Sequence, residues 1–198
     1  MSGKNRGIEM RKKDLMKLLL SAMFLAFGLG LPFLTGQIPQ IGKALLPMHL
    51  PVLLCGFICG APWGLMIGFI TPPLRSLLFG MPIFFPTSIS MAFELCAYGF
   101  LAGFLYRRSH RHSVIAIYRC LMLAMIGGRL VWGLAQFVLL GISGGTFTLG
   151  AFLVGAFTAS IPGIVLQLVL IPTIMIALNR MGFENLGRSF QYDGRNAL

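Results

Sequence analysis

The chain has 198 residues, 57% of them hydrophobic and 11% charged, with a mean hydropathy of +0.85. An ordinary soluble domain, in which about 25% of residues are charged, is excluded, and apolar runs near the ~20 residues that a spanning helix needs predict an all-α integral membrane protein with six transmembrane helices. The formal net charge of +11 is assigned to loops held on the cytoplasmic side, not to nucleic-acid binding.

Residues 1–14 read as a basic cytoplasmic tail with a short interfacial helix. Arg11-Lys12-Lys13 ahead of an apolar run resembles a signal peptide, but the run Leu15–Leu34 exceeds the ~7–15 apolar residues of such a segment. It is read as a retained first span, ended by Pro32 and the polar loop Thr35–Lys43. The second span is Leu50–Gly60 and the third Trp63–Phe79, joined at Gly60-Ala61-Pro62. Pro72, Pro73 and Arg75 inside the third are tolerable only where freed backbone groups and charge face protein or water. Leu46–Pro82 therefore reads as the wall of a polar pocket. A loop, Gly80–Pro86, precedes the fourth span, Thr87–Tyr106. A basic connector, Arg107–His112, leads to the fifth, Val114–Leu140, and Gly141–Gly145 is a turn. The last apolar stretch, Phe147–Leu178, is interrupted at Pro162-Gly163 and Pro172. The membrane domain is thus 15–178, with a polar cytoplasmic tail over 179–198.

Thirteen of the sixteen lysines and arginines fall on the tails and the middle connector if the N-terminus is inside. Lys43 alone falls outside, and Arg75 and Arg129 lie within spans. The positive-inside rule then gives an N-in, C-in chain.

Ionisable groups within spans are site candidates by default. Counting 1.5 Å per residue from the outer helix ends, Arg75 lies about 8 Å deep, Glu94 about 12 Å and Arg129 about 17 Å. Trp132 and Gln136 share a face with Arg129, and Tyr98 is one turn from Glu94. His49 sits at the outer mouth of the second span, and Gln167 lies within the last stretch. The alternative for Glu94 and Arg129 is an ion pair that only locks two helices. His49 has the alternative of bonding loop backbone. Phe84 and Phe85, stiffened by Pro82 and Pro86, form an aromatic flap, and this loop and Thr35–Lys43 are expected to gate the pocket. Ala22 and Ala26 on the first span have the small-xxx-small spacing that permits close helix approach.

Cys55, Cys59, Cys96 and Cys120 all sit in apolar segments without metal-ligand spacing, so they read as reduced structural thiols and no metal or cofactor is expected. No G-x-x-x-x-G-K-[ST], H-E-x-x-H or G-x-S-x-G motif occurs, so ATP hydrolysis and the common membrane-hydrolase chemistries have no signature here.

Three features together resemble the substrate-binding S components of energy-coupling factor (ECF) vitamin transporters. They are the six-span N-in layout, Ala22-xxx-Ala26, and the run from LPMHLPVLLCGFICGAPWGLMIGFITPPLRSLLFGMP into FPTSISMAFELCAYGFLAGFLY. The P-M-H-x-P and G-F-x-x-P-x-x-x-x-L-x-x-G-M-P stretches are similar to pantothenate-type and related, functionally unassigned S components. The resemblance implies a multi-pass protein of the plasma membrane that binds one vitamin or precursor near the outer face. It implies docking through the first helix onto a transmembrane T component, with two cytoplasmic ATPases as the energy source. Its members are not enzymes. The expected ligand contacts are His49, Arg75, Phe84, Glu94, Tyr98, Arg129, Trp132 and Gln136, with a pantothenate-like anion favoured. The rival readings are a membrane enzyme acting on a lipid, and a structural membrane protein without a ligand.

Overall fold

The computed structural model describes residues 2–35, 44–109, 113–142, 148–156 and 160–180, and these are helical with no strand among them. In chain order the helices are α1 (Ser2–Gly30), α2 (His49–Cys59), α3 (Ala61–Phe79), α4 (Ile89–Arg108), α5 (Val114–Ile142), α6 (Leu149–Ala156) and α7 (Ile161–Arg180). A 3-10 turn, Leu31–Thr35, ends α1, and a kinked π-type turn, Phe84–Ser88, leads into α4. The expected loop over 36–43, the connector positions 110–112, most of the turn 141–145 and the tail from 181 lie outside the described residues.

Among the described residues, four helical stretches are long and apolar enough to cross a membrane: Lys12–Leu34, Phe84–Arg108, Val114–Ile142 and Ile161–Arg180. The expected second span is an 11-residue helix, about 16 Å long, roughly half a bilayer core of ~30 Å. The third has 19 residues, but Pro72, Pro73 and Arg75 dilute its apolar character. The last stretch is two helices, α6 and α7. Pro162 stands at the second position of α7, where a missing N–H leaves no hydrogen bond unmade. Pro172 lies in its interior. At the other end, α1 runs unbroken from Ser2. MRKKDLMKLLL contains no helix breaker, so the basic segment continues the first span instead of forming a separate element.

The central helix is α4, which packs against α2, α3 and α5; α1 lies against α2 and α3, and α7 against α5 and α2. Glycines set how closely α2, α3 and α4 approach. Gly60 alone separates α2 from α3, at φ 100°, a conformation open to glycine at little cost. Immediately beyond it, a Cβ on Gly64 would stand 2.6 Å from the Gly99 carbonyl oxygen and 2.8 Å from the Gly56 Cα. Gly56 and Gly103 likewise face backbone of the neighbouring helix. The three helices therefore meet backbone to backbone, as small residues permit in membranes, where dispersion and packing hold helices together. Around this seam Val52, Leu53, Phe57, Leu95, Ala102, Ile117 and Leu121 are fully buried.

Apolar side chains cover the outside. On α1 the inward positions are Ser21, Phe24 and Gly28, at helical spacing. Leu15, Leu18, Leu19, Ala22, Met23, Ala26 and Phe27 face away from the bundle and are exposed. Lipid or another membrane protein is the medium that suits such a face.

Candidate functional site

Three helices converge on one carboxylate. Before α2, Leu46 takes the left-handed conformation (φ 50°), and its carbonyl accepts the His49 N–H at 3.0 Å. This turn makes His49 the first residue of α2 and buries it. On α4, Ser90, Glu94 and Tyr98 follow at intervals of four, and all are buried. On α5, Arg129 and Gln136 are buried two turns apart. Arg129 Nη1 lies 2.9 Å from Glu94 Oε1, and His49 Nε2 lies 3.3 Å from the same oxygen. Both approaches are at ion-pair distance without hydrogen-bond alignment, and Glu94 Oε1 has no hydrogen-bond partner among the described residues. The His49 and Tyr98 rings meet edge to face at 5.2 Å, and Tyr98 stands one turn from Glu94 on the same helix. Gly128 leaves room for the Tyr98 ring, which a Cβ there would meet at 2.9 Å.

The cluster is buried and incompletely paired. Glu94 is 2% exposed, His49 1% and Arg129 5%. Arg129 uses Nη1 on Glu94, while Nε and Nη2 have no hydrogen-bond partner among the described residues. His49 Nδ1, Gln136 Oε1, Ser88 Oγ and both amide atoms of Gln167 are likewise buried without partners. Most buried polar atoms in proteins are paired, and leaving one unpaired costs ~1–3 kcal/mol. Nε and Nη2 form one edge of the guanidinium, a two-donor fork that fits a carboxylate or phosphate side-on.

Not every expected residue joins this cluster. Arg75 is buried but serves the end of α1: its Nη1 donates to the Leu29 carbonyl at 2.6 Å. Its guanidinium lies 5.2 Å from the Phe33 ring centroid and 5.5 Å from that of Phe79. A cation suits the carbonyl end of a helix. Trp132 stacks on Phe152 of α6, centroids 6.2 Å apart, next to Gly155, and so packs α5 against α6. Phe84 opens the kinked turn and is 47% exposed, and Phe85 beside it is 43% exposed. Ser76 Oγ donates to the Pro82 carbonyl at 2.6 Å, tying that turn to α3. Cys55 Sγ lies 3.6 Å from Ser21 Oγ, linking α2 to α1, and no metal-holding group of His, Cys, Asp or Glu occurs among the described residues. Gln167 and Ser88 were not among the expected contacts. Gln167 had one signal in sequence, an amide inside a long apolar stretch.

A family model described as "ECF transporter, substrate-specific component" matches residues 16–175. Searches of curated proteins and of solved structures gave no match.

Proposed function

The chain belongs to the substrate-specific components of ECF transporters, and on that premise we propose that it captures an anionic, water-soluble vitamin or precursor, with pantothenate the first candidate. As a member of this family it is a multi-pass plasma-membrane protein and not an enzyme. It is the substrate-capture subunit of an importer that also has a T component and ATPase subunits. In the proposed arrangement all six spans are used, with both termini inside. The short α2 and the proline-bearing α3 form one wall of the site, and α6 with α7 makes the sixth crossing.

The anion reading is carried by the free edge of Arg129. Glu94 neutralises the charge through Nη1, and Nε and Nη2 remain as parallel donors in a buried place. A carboxylate accepting both makes two charge-assisted hydrogen bonds. His49 and Gln136 then stand ready for hydroxyl or amide groups. Arg75 contributes no charge to this cluster, since it serves the Leu29 carbonyl. A structural protein without a ligand would gain nothing from several unpaired buried polar atoms on converging helices.

The test is titration of the purified protein with pantothenate, pyridoxine and a thiamine precursor. Pantothenate is expected to bind most tightly, and Arg129→Gln to weaken it at least tenfold. Tight binding of a neutral or cationic vitamin, indifferent to Arg129→Gln, overturns the anion reading. The proposed coupling face on α1 is Ala22 with Ala26. It is supported by their small side chains on the uncovered side of the helix, and co-purification with the T component and ATPases tests it.

A further inference from the structure

We propose that Gln167 on α7 is a specificity-determining residue of this site, reading a neutral group of the captured molecule that carries a hydrogen-bond donor and an acceptor. An amide or hydroxy-amide is such a group. The inference rests on the capture function proposed above and adds a contact from an element outside the α2–α4–α5 cluster.

Three observations carry it. Gln167 is 1% exposed, and neither its Nε2 nor its Oε1 has a partner among the described residues. An amide offers two donors and an acceptor, so one side chain can test for both polarities. Second, its neighbours along the helix fix its face. Gly163, one turn earlier, is pressed on the backbone of Ala44 and Leu45, just ahead of His49. Ile171, one turn later, is fully buried in the core. Gln167 thus lies on the inward face of α7, one turn beyond the contact with the residues that lead into α2. Third, α7 packs against α5 and α2, which carry Arg129, Gln136 and His49. By helical rise, Gln167 lies about 9 Å from the start of α7, and Gln136 about 9 Å from the end of α5.

A polar group buried to meet a ligand discriminates strongly, because a molecule lacking the matching group leaves it unpaired. Gln167 would therefore reject molecules of the right charge and size that present only hydrocarbon to it. Arg129 would select for the anionic end, and Gln167 for the neutral end.

The experiment is equilibrium dialysis of the full chain in nanodiscs against a defined mixture of pantothenate, pyridoxine, thiamine, riboflavin, biotin and nicotinate, with retained molecules measured by mass spectrometry. Wild type is compared with Gln167→Met, Gln167→Asn and Arg129→Gln, and the melting temperature of each vitamin-free protein is recorded. We expect Gln167→Met to weaken the retained vitamin at least tenfold without lowering the vitamin-free melting temperature, since it removes only unpaired atoms. Gln167→Asn, with its amide pulled back by one methylene, should weaken binding in a protein that certainly stays polar there. Unchanged affinity in Gln167→Met or Gln167→Asn overturns the inference and leaves the anion reading standing. Loss in Gln167→Met with full retention by Arg129→Gln supports Gln167 and overturns the anion reading. A large fall in the vitamin-free melting temperature of both Gln167 variants assigns the residue to structure and overturns the inference. Retention of no vitamin by wild type overturns both readings.

Discussion

The Glu94–Arg129 pair makes a quantitative prediction that separates a ligand site from a helix lock. The two groups are 2.9 Å apart with side chains 2% and 6% exposed. Removing one partner of such a pair leaves an uncompensated buried charge, at a cost of ~3–5 kcal/mol. Glu94→Gln should therefore destabilise the vitamin-free protein by that amount. For a chain of this size, ~2–4 °C per kcal/mol gives a fall of about 6–20 °C in melting temperature. Arg129→Met should do comparable harm. The double variant Glu94→Leu with Arg129→Met has no charge left to strand, and replacing a buried pair by apolar groups is neutral or stabilising by ~1–4 kcal/mol. It should melt near or above wild type.

Anion binding then divides the two single variants. In Glu94→Gln the whole Arg129 fork is available, so pantothenate should bind at least as tightly as to wild type. At a hundred times its dissociation constant it should return ~2.7 kcal/mol of stability. In Arg129→Met both stability and anion binding should fall. Thermal unfolding in nanodiscs, with and without pantothenate, reads all four proteins. A double variant whose loss equals the two single losses added together would refute the pair as described. Loss of anion binding in Glu94→Gln but not in Arg129→Met would refute the assignment of Arg129 as the anion's partner.

Three further outcomes are expected. Ala22→Trp with Ala26→Trp should abolish co-purification with the T component and ATPases while ligand binding by the solitary protein survives, because both positions face outward from the bundle; joint loss of both properties would point to internal packing. Arg75→Gln should lose ~1.5–3 kcal/mol for a hydrogen bond to a charged group, with ~0.5–1 kcal/mol more from the aromatic contacts, and leave anion affinity unchanged in a titration. A tenfold loss of affinity at unchanged melting temperature would return Arg75 to the site. Gly99→Val should prevent recovery of folded protein, since Gly99 faces the backbone of Gly64, whereas Gly30→Ala, with nothing within 4 Å of its Cβ, should be tolerated; size-exclusion profiles after membrane extraction read both.

Helix identity and approximate limits were legible because hydrophobic length is a strong signal in a membrane. The α2–α3 joint was legible too, since Gly60-Ala61-Pro62 combines a permissive residue with a proline suited to a helix start. What composition could not give was which apolar segments are long enough to cross alone. The 11 residues of α2 are as apolar as any span, and only the observed turn at Leu46 shows where the helix begins. Likewise, glycines at 56, 64, 99 and 103 are unremarkable in an apolar chain. Their meaning comes from the register that brings Gly99 onto Gly64 and Gly103 onto Ala61.

The same distinction explains the site. Glu94, Arg129, His49 and Tyr98 could be collected from sequence, because charge or aromatic polarity inside apolar segments is rare and expensive. Arg75 satisfied that rule equally well, yet its guanidinium serves the last turn of α1. A buried arginine needs acceptors, and a helix C-terminus supplies unpaired carbonyls as readily as a ligand does. Depth alone cannot separate the two, because either partner makes a buried arginine tolerable. The discriminating observation is which nitrogens stay unpaired. Arg75 has a short bond to a fixed carbonyl and two phenyl rings around it, whereas Arg129 spends one nitrogen on Glu94 and keeps a two-donor edge. An arginine so held is neutralised enough to be buried and still has donors left over, which is what the two single variants and the double variant are designed to separate from simple packing.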